Sequence, residues 1–196
     1  MANSQEAQGQ DKQYLMRIEG CVIVSANGML ADKNRVMPSS LKFEADQKFF
    51  ENALDRADLI VHGRNSFEDQ ERSPQRTRII LTRSVSALAS DPENPKATLW
   101  NPARATFEDA CRQAGVTSGT AAIIGGPVVF GMFMDRYDTF WLSQAHGVTI
   151  PDGIGAFPGI PERSPEAILE SHGLKPTETR LLDAVSKVDV TAWSRS

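Results

Sequence analysis

The chain is poor in cysteine. It has two, Cys21 and Cys111, in 196 residues. They lie far apart in apolar surroundings, with no CxxC pair and no Cys/His spacing of a zinc site. Both are expected to be buried free thiols. His62, His146 and His172 are scattered, so no metal site is expected. Long apolar runs are missing too: nothing approaches the roughly 18 residues that a membrane span needs. Nor is there a strong charge of one sign. The formal net charge of −4 removes the general electrostatic case for nucleic acid or an anionic membrane as partner. The opening "MANSQEAQGQDKQ" has no apolar core and is not expected to be a signal peptide. It reads as a flexible tail over residues 1–13, followed by one domain over 14–196, with a cytoplasmic location. The GxGxxG dinucleotide fingerprint and the GxxxxGKS/T phosphate loop are both absent.

What is present is an alternation of strand-like and helix-like segments. "YLMRIEGCVIVSANG" carries the continuous run Val22-Ile23-Val24 of a strand covered on both faces, then the turn signal Asn27-Gly28. The stretch around Pro38 and two serines is loop-like. From Glu44 to Ala57, Ala45, Phe49, Ala53 and Leu54 fall on one helical face. "DLIVHG" and "TRIILTRS" are strands, with a short helix starting at "RNSFED" between them. A short strand is expected to end at Trp100. "TFEDACRQAG" is a helix with Thr106 and Asp109 placed as a capping box and Gly115 as its stop. "AAIIGG" is a strand, "PVVFGMFMDR" a helix and "YDTFWLSQAHGV" a strand. β-type runs follow around "AILESHGL", "TRLLDAV" and "KVDVTAW". This pattern predicts an α/β domain with a mixed, mostly parallel central sheet flanked by helices and antiparallel C-terminal strands at one edge.

In an open α/β sheet, ligands sit beyond the carboxyl ends of the strands. Three such ends carry chemistry. Gly63 ends one strand, and Arg64, Asn65 and Ser66 follow. Leu81 ends the next, and Thr82, Arg83 and Ser84 supply two hydroxyls and a guanidinium. Gly125-Gly126 ends a third, where two residues without side chains let a ligand approach the backbone. Pro127, Val128 and Val129 then open a helix. Each segment alone is an ordinary turn; together they suggest a cleft for a ligand with several phosphates, such as a dinucleotide. Asp46 is the carboxylate that stands out. It lies in the first turns of a helix with an apolar face, and Phe50 is its neighbour four residues on. A carboxylate beside an aromatic ring suits a polar heterocycle and the handling of a proton. The competing reading is a solvated acid that favours the helix dipole.

The motifs "VIVSANGMLA", "MPSSLKFEADQKFF", "DLIVHGRNSFE", "RIILTRS", "IIGGPVVFGMF" and "FWLSQAHG…FPG" occur in this order from Cys21 to Gly159. The chain thereby resembles the dihydrofolate reductase superfamily, including the reductase domain of bacterial riboflavin biosynthesis. The resemblance implies that fold, NADPH as cofactor, and hydride transfer to a bound heterocycle or sugar. It implies that Gly63, Arg64, Asn65 and Ser66 meet the cofactor phosphates, and that Leu81, Thr82, Arg83 and Ser84 surround the adenosine and its 2′-phosphate. Gly125 and Gly126 match a glycine pair joined by a cis peptide, with Val128 and Val129 in the helix beyond. Ile23 and Leu30 match apolar residues bracketing the nicotinamide. Asp46 matches the substrate-binding acid of the folate branch, with Phe50 one turn later and Ser143 as its supporting hydroxyl. "SANGMLA" and "ALDRADLIVHGR" resemble the riboflavin branch, which reduces a ribosylamino-pyrimidine phosphate; Lys33, Arg35 and Lys42 are then candidates for its phosphate. That branch is the first expectation, dihydrofolate reductase the alternative, and a non-catalytic nucleotide-binding protein the third. Relatives of the riboflavin type pair, so a homodimer is expected.

Overall fold

The computed structural model describes residues 15–66 and 70–195. The tail expected over residues 1–13 lies outside them. In chain order the strands are β1 (Leu15–Ser25), β2 (Met29–Ala31), β3 (Leu59–Gly63), β4 (Arg78–Leu81), β5 (Leu88–Ser90), β6 (Ala97–Trp100), β7 (Ser118–Gly125), β8 (Thr139–Ala145), β9 (Ile154–Gly155), β10 (Leu174–Asp183) and β11 (Val188–Arg195). The helices are α1 (Glu44–Arg56), α2 (Phe107–Ala114), α3 (Pro127–Met132) and α4 (Pro165–Ser171). None is long and apolar enough to cross a membrane.

Nine strands form one sheet in the order β10-β11-β8-β1-β7-β3-β4-β6-β5. From β8 to β6 all neighbours run parallel. β11 and β10 extend the β8 edge antiparallel, as expected for the C-terminal strands. The other edge ends in β5, an antiparallel strand with no clear period in the sequence. β2 and β9 make a separate pair.

Strand alternation sorts the side chains between two layers. Ile18 and Val24 of β1, Leu59 and Val61 of β3, Ala121 and Ile123 of β7, and Phe140 and Leu142 of β8 enter the main core. There they meet Phe107 and Ala110 of α2, Val129 and Phe130 of α3, and Ile168 and Leu169 of α4. Full burial of one such phenylalanine or leucine is worth about 1.5–3 kcal/mol. On the opposite face α1 lies alone. Its Leu54 packs on Ile60 and Ala122, and Phe49 meets Trp141 of β8 edge-on at 5.5 Å. The intervening positions Cys21, Ile23 and Ser143 lie on this α1 side of the sheet, since Ile23 pairs with Ser143 and Cys21 with Trp141 in the β1–β8 register.

Local signals set the helix ends. Thr106 and Asp109 form the reciprocal capping box of α2, and Gly115 closes it at φ 76°. The segment "AILESHGL", expected as a β-run, is instead largely α4. Ser164 accepts a hydrogen bond from the Ala167 N–H, Pro165 occupies the first helical position, and Ile168 and Leu169 bury against the sheet. The cap and proline outweigh the short apolar triplet. The helix expected at "RNSFED" starts as a turn, with the Ser66 N–H on Gly63 O at 3.0 Å; residues 67–69 lie outside the described residues.

Candidate active site

The carboxyl ends of β1, β3, β4 and β7 line one side of the sheet, and the marked sequence segments meet there. β3 and β7 are adjacent, so Gly63 lies beside Gly125-Gly126. A methyl group placed on Gly63 would stand 3.8 Å from both Gly125 O and Gly126 N. The Gly125–Gly126 peptide is cis. Gly125 has φ +111°, and a Cβ there would fall 2.9 Å from the Phe130 ring. A Cβ on Gly126 would stand 3.0 Å from Ser66 Oγ. Gly125 is therefore dictated by space and by backbone conformation, whereas Gly126 is crowded only by a side chain that can move. Val128 projects outward, 70% exposed, whereas Val129 is buried in the core and offers a ligand only its backbone. Pro127 has no N–H to give.

The β3 and β4 ends are joined by side chains. Arg64 donates to Ser84 Oγ at 2.7 Å, and Ser84 Oγ and Thr82 Oγ1 share a hydrogen bond of 2.8 Å. Arg64, Thr82 and Ser84 so form one cationic and hydroxylic cluster, exposed at Arg64 and Ser84 and half-buried at Thr82. Arg83 is exposed and makes no hydrogen bond among the described residues. Asn65 is exposed on the turn and Leu81 half-buried at the strand end. Behind them lies His62, buried at 1% exposure. Arg78 can only donate, so its contact to His62 Nε2 at 3.1 Å makes that nitrogen the acceptor, and Nδ1–H donates to Gly63 O at 2.8 Å.

The second half of the site lies under α1. Asp46 is only 7% exposed although it stands in the first helical turn. No cation pairs with it among the described residues. Burial raises its carboxyl from 3.8 to about 6, opposed by the Ser143 hydroxyl. Ser143 is fully buried, and its Oγ has no partner within hydrogen-bond geometry. Ile23, beside Ser143 in register, is 5% exposed. Phe50, one turn on from Asp46, packs with Leu54, Ile60 and Ala122. Leu30 is half-buried against the main core. Of the loop cations, Lys33 and Arg35 ride an exposed turn pinned by Asp32, and Lys42 is exposed. A polar notch at the far end of α1, around Asp55, Arg72 and Arg76, is separate from this cleft, and its Asp55 carboxylate pairs with both arginines.

Sequence reasoning missed Cys21 as part of this floor. It lies two residues before Ile23 on the same face, and the Asp46 charge reaches it: burial first, then Asp46 and Glu19, push its thiol well above its ordinary value. Counting back by two from Ile23 would have found it.

A six-strand parallel core with glycines at the strand ends, one helix on one face and a cis glycine pair at the centre defines the dihydrofolate reductase-like class of α/β proteins. The chain belongs to the dihydrofolate reductase family: the family profile "Dihydrofolate reductase" matches residues 17–178. Among solved structures, a protein assigned to riboflavin biosynthesis from Shewanella sp. PV-4 is 16% identical with TM-score 0.65, over 92% of this chain and 99% of that one. Dihydrofolate reductase from Enterococcus faecalis, complexed with NADP(H) and RAB-propyl, is 19% identical with TM-score 0.61, over 92% and 96%. A diaminohydroxyphosphoribosylaminopyrimidine deaminase/5-amino-6-(5-phosphoribosylamino)uracil reductase from Thermotoga maritima is 13% identical with TM-score 0.62, over 93% of this chain and 57% of that one. At these identities the likeness is one of fold. No curated protein matches the chain significantly.

Proposed function

We propose that the chain is an NADPH-dependent reductase of a pterin-type heterocycle, with dihydrofolate the first substrate to try. The observation that carries this reading is Asp46: buried, with no cation paired to it among the described residues, and next to the buried Ser143 hydroxyl, which stands opposite Ile23 in the β1–β8 register. Such an acid in its ionised form accepts from the N–H and NH₂ donors of an amino-heterocycle. In its neutral form it returns a proton to a ring nitrogen. A ribosylamino-pyrimidine phosphate, the first expectation from the sequence, wants cations at its phosphate. The cations closest in sequence to Asp46 on its N-terminal side, Lys33, Arg35 and Lys42, are all exposed on the preceding loop. That substrate remains the second reading, favoured by the match to the Shewanella protein along nearly its whole length.

The residues fit a dinucleotide phosphate. Gly63, Gly125 and Gly126 bring bare backbone together at the β3 and β7 ends, while Arg64, Thr82 and Ser84 stand ready for a phosphate at the adenosine end. Ile23 and Leu30 would flank the nicotinamide. NADPH, when bound, supplies the hydride. The chain's own part is to hold the heterocycle by Asp46, exclude water with Ile23 and Phe50, and give the proton that balances the hydride at the adjacent nitrogen.

The test is nucleotide binding followed by turnover. A nucleotide at 100 times its Kd should raise stability by about 2.7 kcal/mol. NADPH oxidation is then followed with dihydrofolate and with the ribosylamino-pyrimidine phosphate. Turnover of dihydrofolate that Asp46→Asn abolishes is expected. Turnover of the phosphate compound alone favours the second reading. Binding without turnover of either leaves a nucleotide-binding protein, and no response to NADPH or NADH overturns the proposal.

A further inference from the structure

The turn after β1 is held by more than its Asn27-Gly28 signal. Ser25, the last residue of β1, is fully buried. Its Oγ accepts the Met29 N–H at 3.1 Å and donates its hydrogen to Asn27 Oδ1 at 2.7 Å. One residue of a distant segment then reads the rest of the Asn27 amide. The Ile150 N–H donates to Asn27 Oδ1 at 3.1 Å, and Asn27 Nδ2 donates to Ile150 O at 2.9 Å. The donors and acceptors fix the amide's orientation. The Ala26 N–H on Val148 O at 2.7 Å and the Ala156 N–H on Gly28 O at 3.1 Å tie the same turn to the same segment.

We propose that Ser25 and Asn27 form a latch that sets the width of the nicotinamide slot, with Asn27 as a positioning residue that touches neither cofactor nor substrate. This rests on the dinucleotide reading above. Ile23 lies two residues before Ser25, and Leu30 directly follows the Met29 that Ser25 holds. The Ser25–Met29 hydrogen bond fixes the short stretch of chain that joins these two apolar residues. That bond is braced from outside by Asn27 on Ile150. A short turn without such bonds opens locally at little cost. The adenosine end is built on other strands, by Arg64 of the β3 end and Thr82 and Ser84 of the β4 end. The latch therefore acts on one half of the cofactor only.

That asymmetry gives the experiment. The whole chain and its variants Asn27→Ala, Asn27→Asp and Ser25→Ala are titrated with NADPH and with adenosine 2′,5′-bisphosphate, which lacks the nicotinamide. Each protein is also melted without ligand. Asn27→Ala is expected to weaken NADPH about tenfold, the scale of one to two net hydrogen bonds, and to leave the bisphosphate unchanged. Asn27→Asp keeps the acceptor but turns a second oxygen on Ile150 O, so it is expected not to rescue. Ser25→Ala is expected to follow Asn27→Ala, with no further loss in the double variant. Equal weakening of both probes, or of neither, by the variants that fold overturns the latch. A wild-type protein that binds neither probe overturns the dinucleotide reading itself, and the latch's purpose with it.

Discussion

The Ser143 hydroxyl and the Asp46 carboxyl oppose each other across the β8–α1 interface, both buried and neither engaged by a charge. The hydroxyl is close enough to hold the acid down against desolvation, yet has no settled partner of its own. A buried polar pair with unused capacity costs stability and is kept where a ligand completes it.

The first consequence is a stability effect with a definite sign. The folded Asp46 carboxyl, at about 6, lies above its unfolded value of 3.8. The native state therefore holds the proton longer, and its contribution to stability, full below pH 3.8, is lost as pH rises through about 6. Asp46→Asn removes the ionisation. It is expected to stabilise the ligand-free protein by about 2–3 kcal/mol at pH 8, from 1.36 kcal/mol per pK unit, and by nearly nothing at pH 4. Urea melts at the two pH values check this; equal effects at both would be the contrary result.

Turnover should carry the same titration. If Asp46 donates the proton, kcat falls above pH about 6. Ser143→Ala removes the group that lowers the acid, so the midpoint of the pH–rate profile should move up. Stability should change little below pH about 6, where the acid keeps its proton, and fall above it, where the hydroxyl no longer supports the carboxylate. A midpoint that stays put would place the essential proton elsewhere.

At the adenosine end, Arg64 is already oriented by Ser84, while Arg83 is not held. Arg64→Ala should weaken NADPH by about 10–100-fold, the scale of a charge-assisted hydrogen bond, and NADH much less. Arg83→Ala should have the smaller effect. Calorimetry with both nucleotides decides between the two arginines.

The two central glycines should fail in different ways. Gly125→Ala forces φ +111° on an L-residue and meets Phe130 at 2.9 Å, so the protein should lose about 1–3 kcal/mol of stability. Gly126→Ala meets only Ser66 Oγ, at 3.0 Å, a side chain that can move. It should fold nearly normally and lose nucleotide affinity, because its methyl group takes the ligand's place. Thermal melts with and without NADPH separate the outcomes.

Much of the frame was legible because it is local. Val22-Ile23-Val24 and "DLIVHG" announce strands buried on both sides, the spacing from Glu44 announces α1, and Thr106, Asp109 and Gly115 bound α2. The segment that became α4 shows the limit: its apolar triplet resembles a strand, and the cap at Ser164 settled it. β5 has three residues and no period, so only the ladder to β6 reveals it.

The amino-acid sequence by itself determined the alternation of strands and helices, the glycines at the strand ends, and the family whose motifs stand in order. Short-range periodicity and turn chemistry are enough for that. Only the tertiary structure decided which groups meet. Strand order placed Gly63 beside Gly125, and the β1–β8 register set Ile23 against Ser143. Packing of α1 on that face turned Asp46 from a solvated helix-start acid into a buried one. Burial, register and crossing contacts join residues far apart in the chain, and no local pattern specifies them.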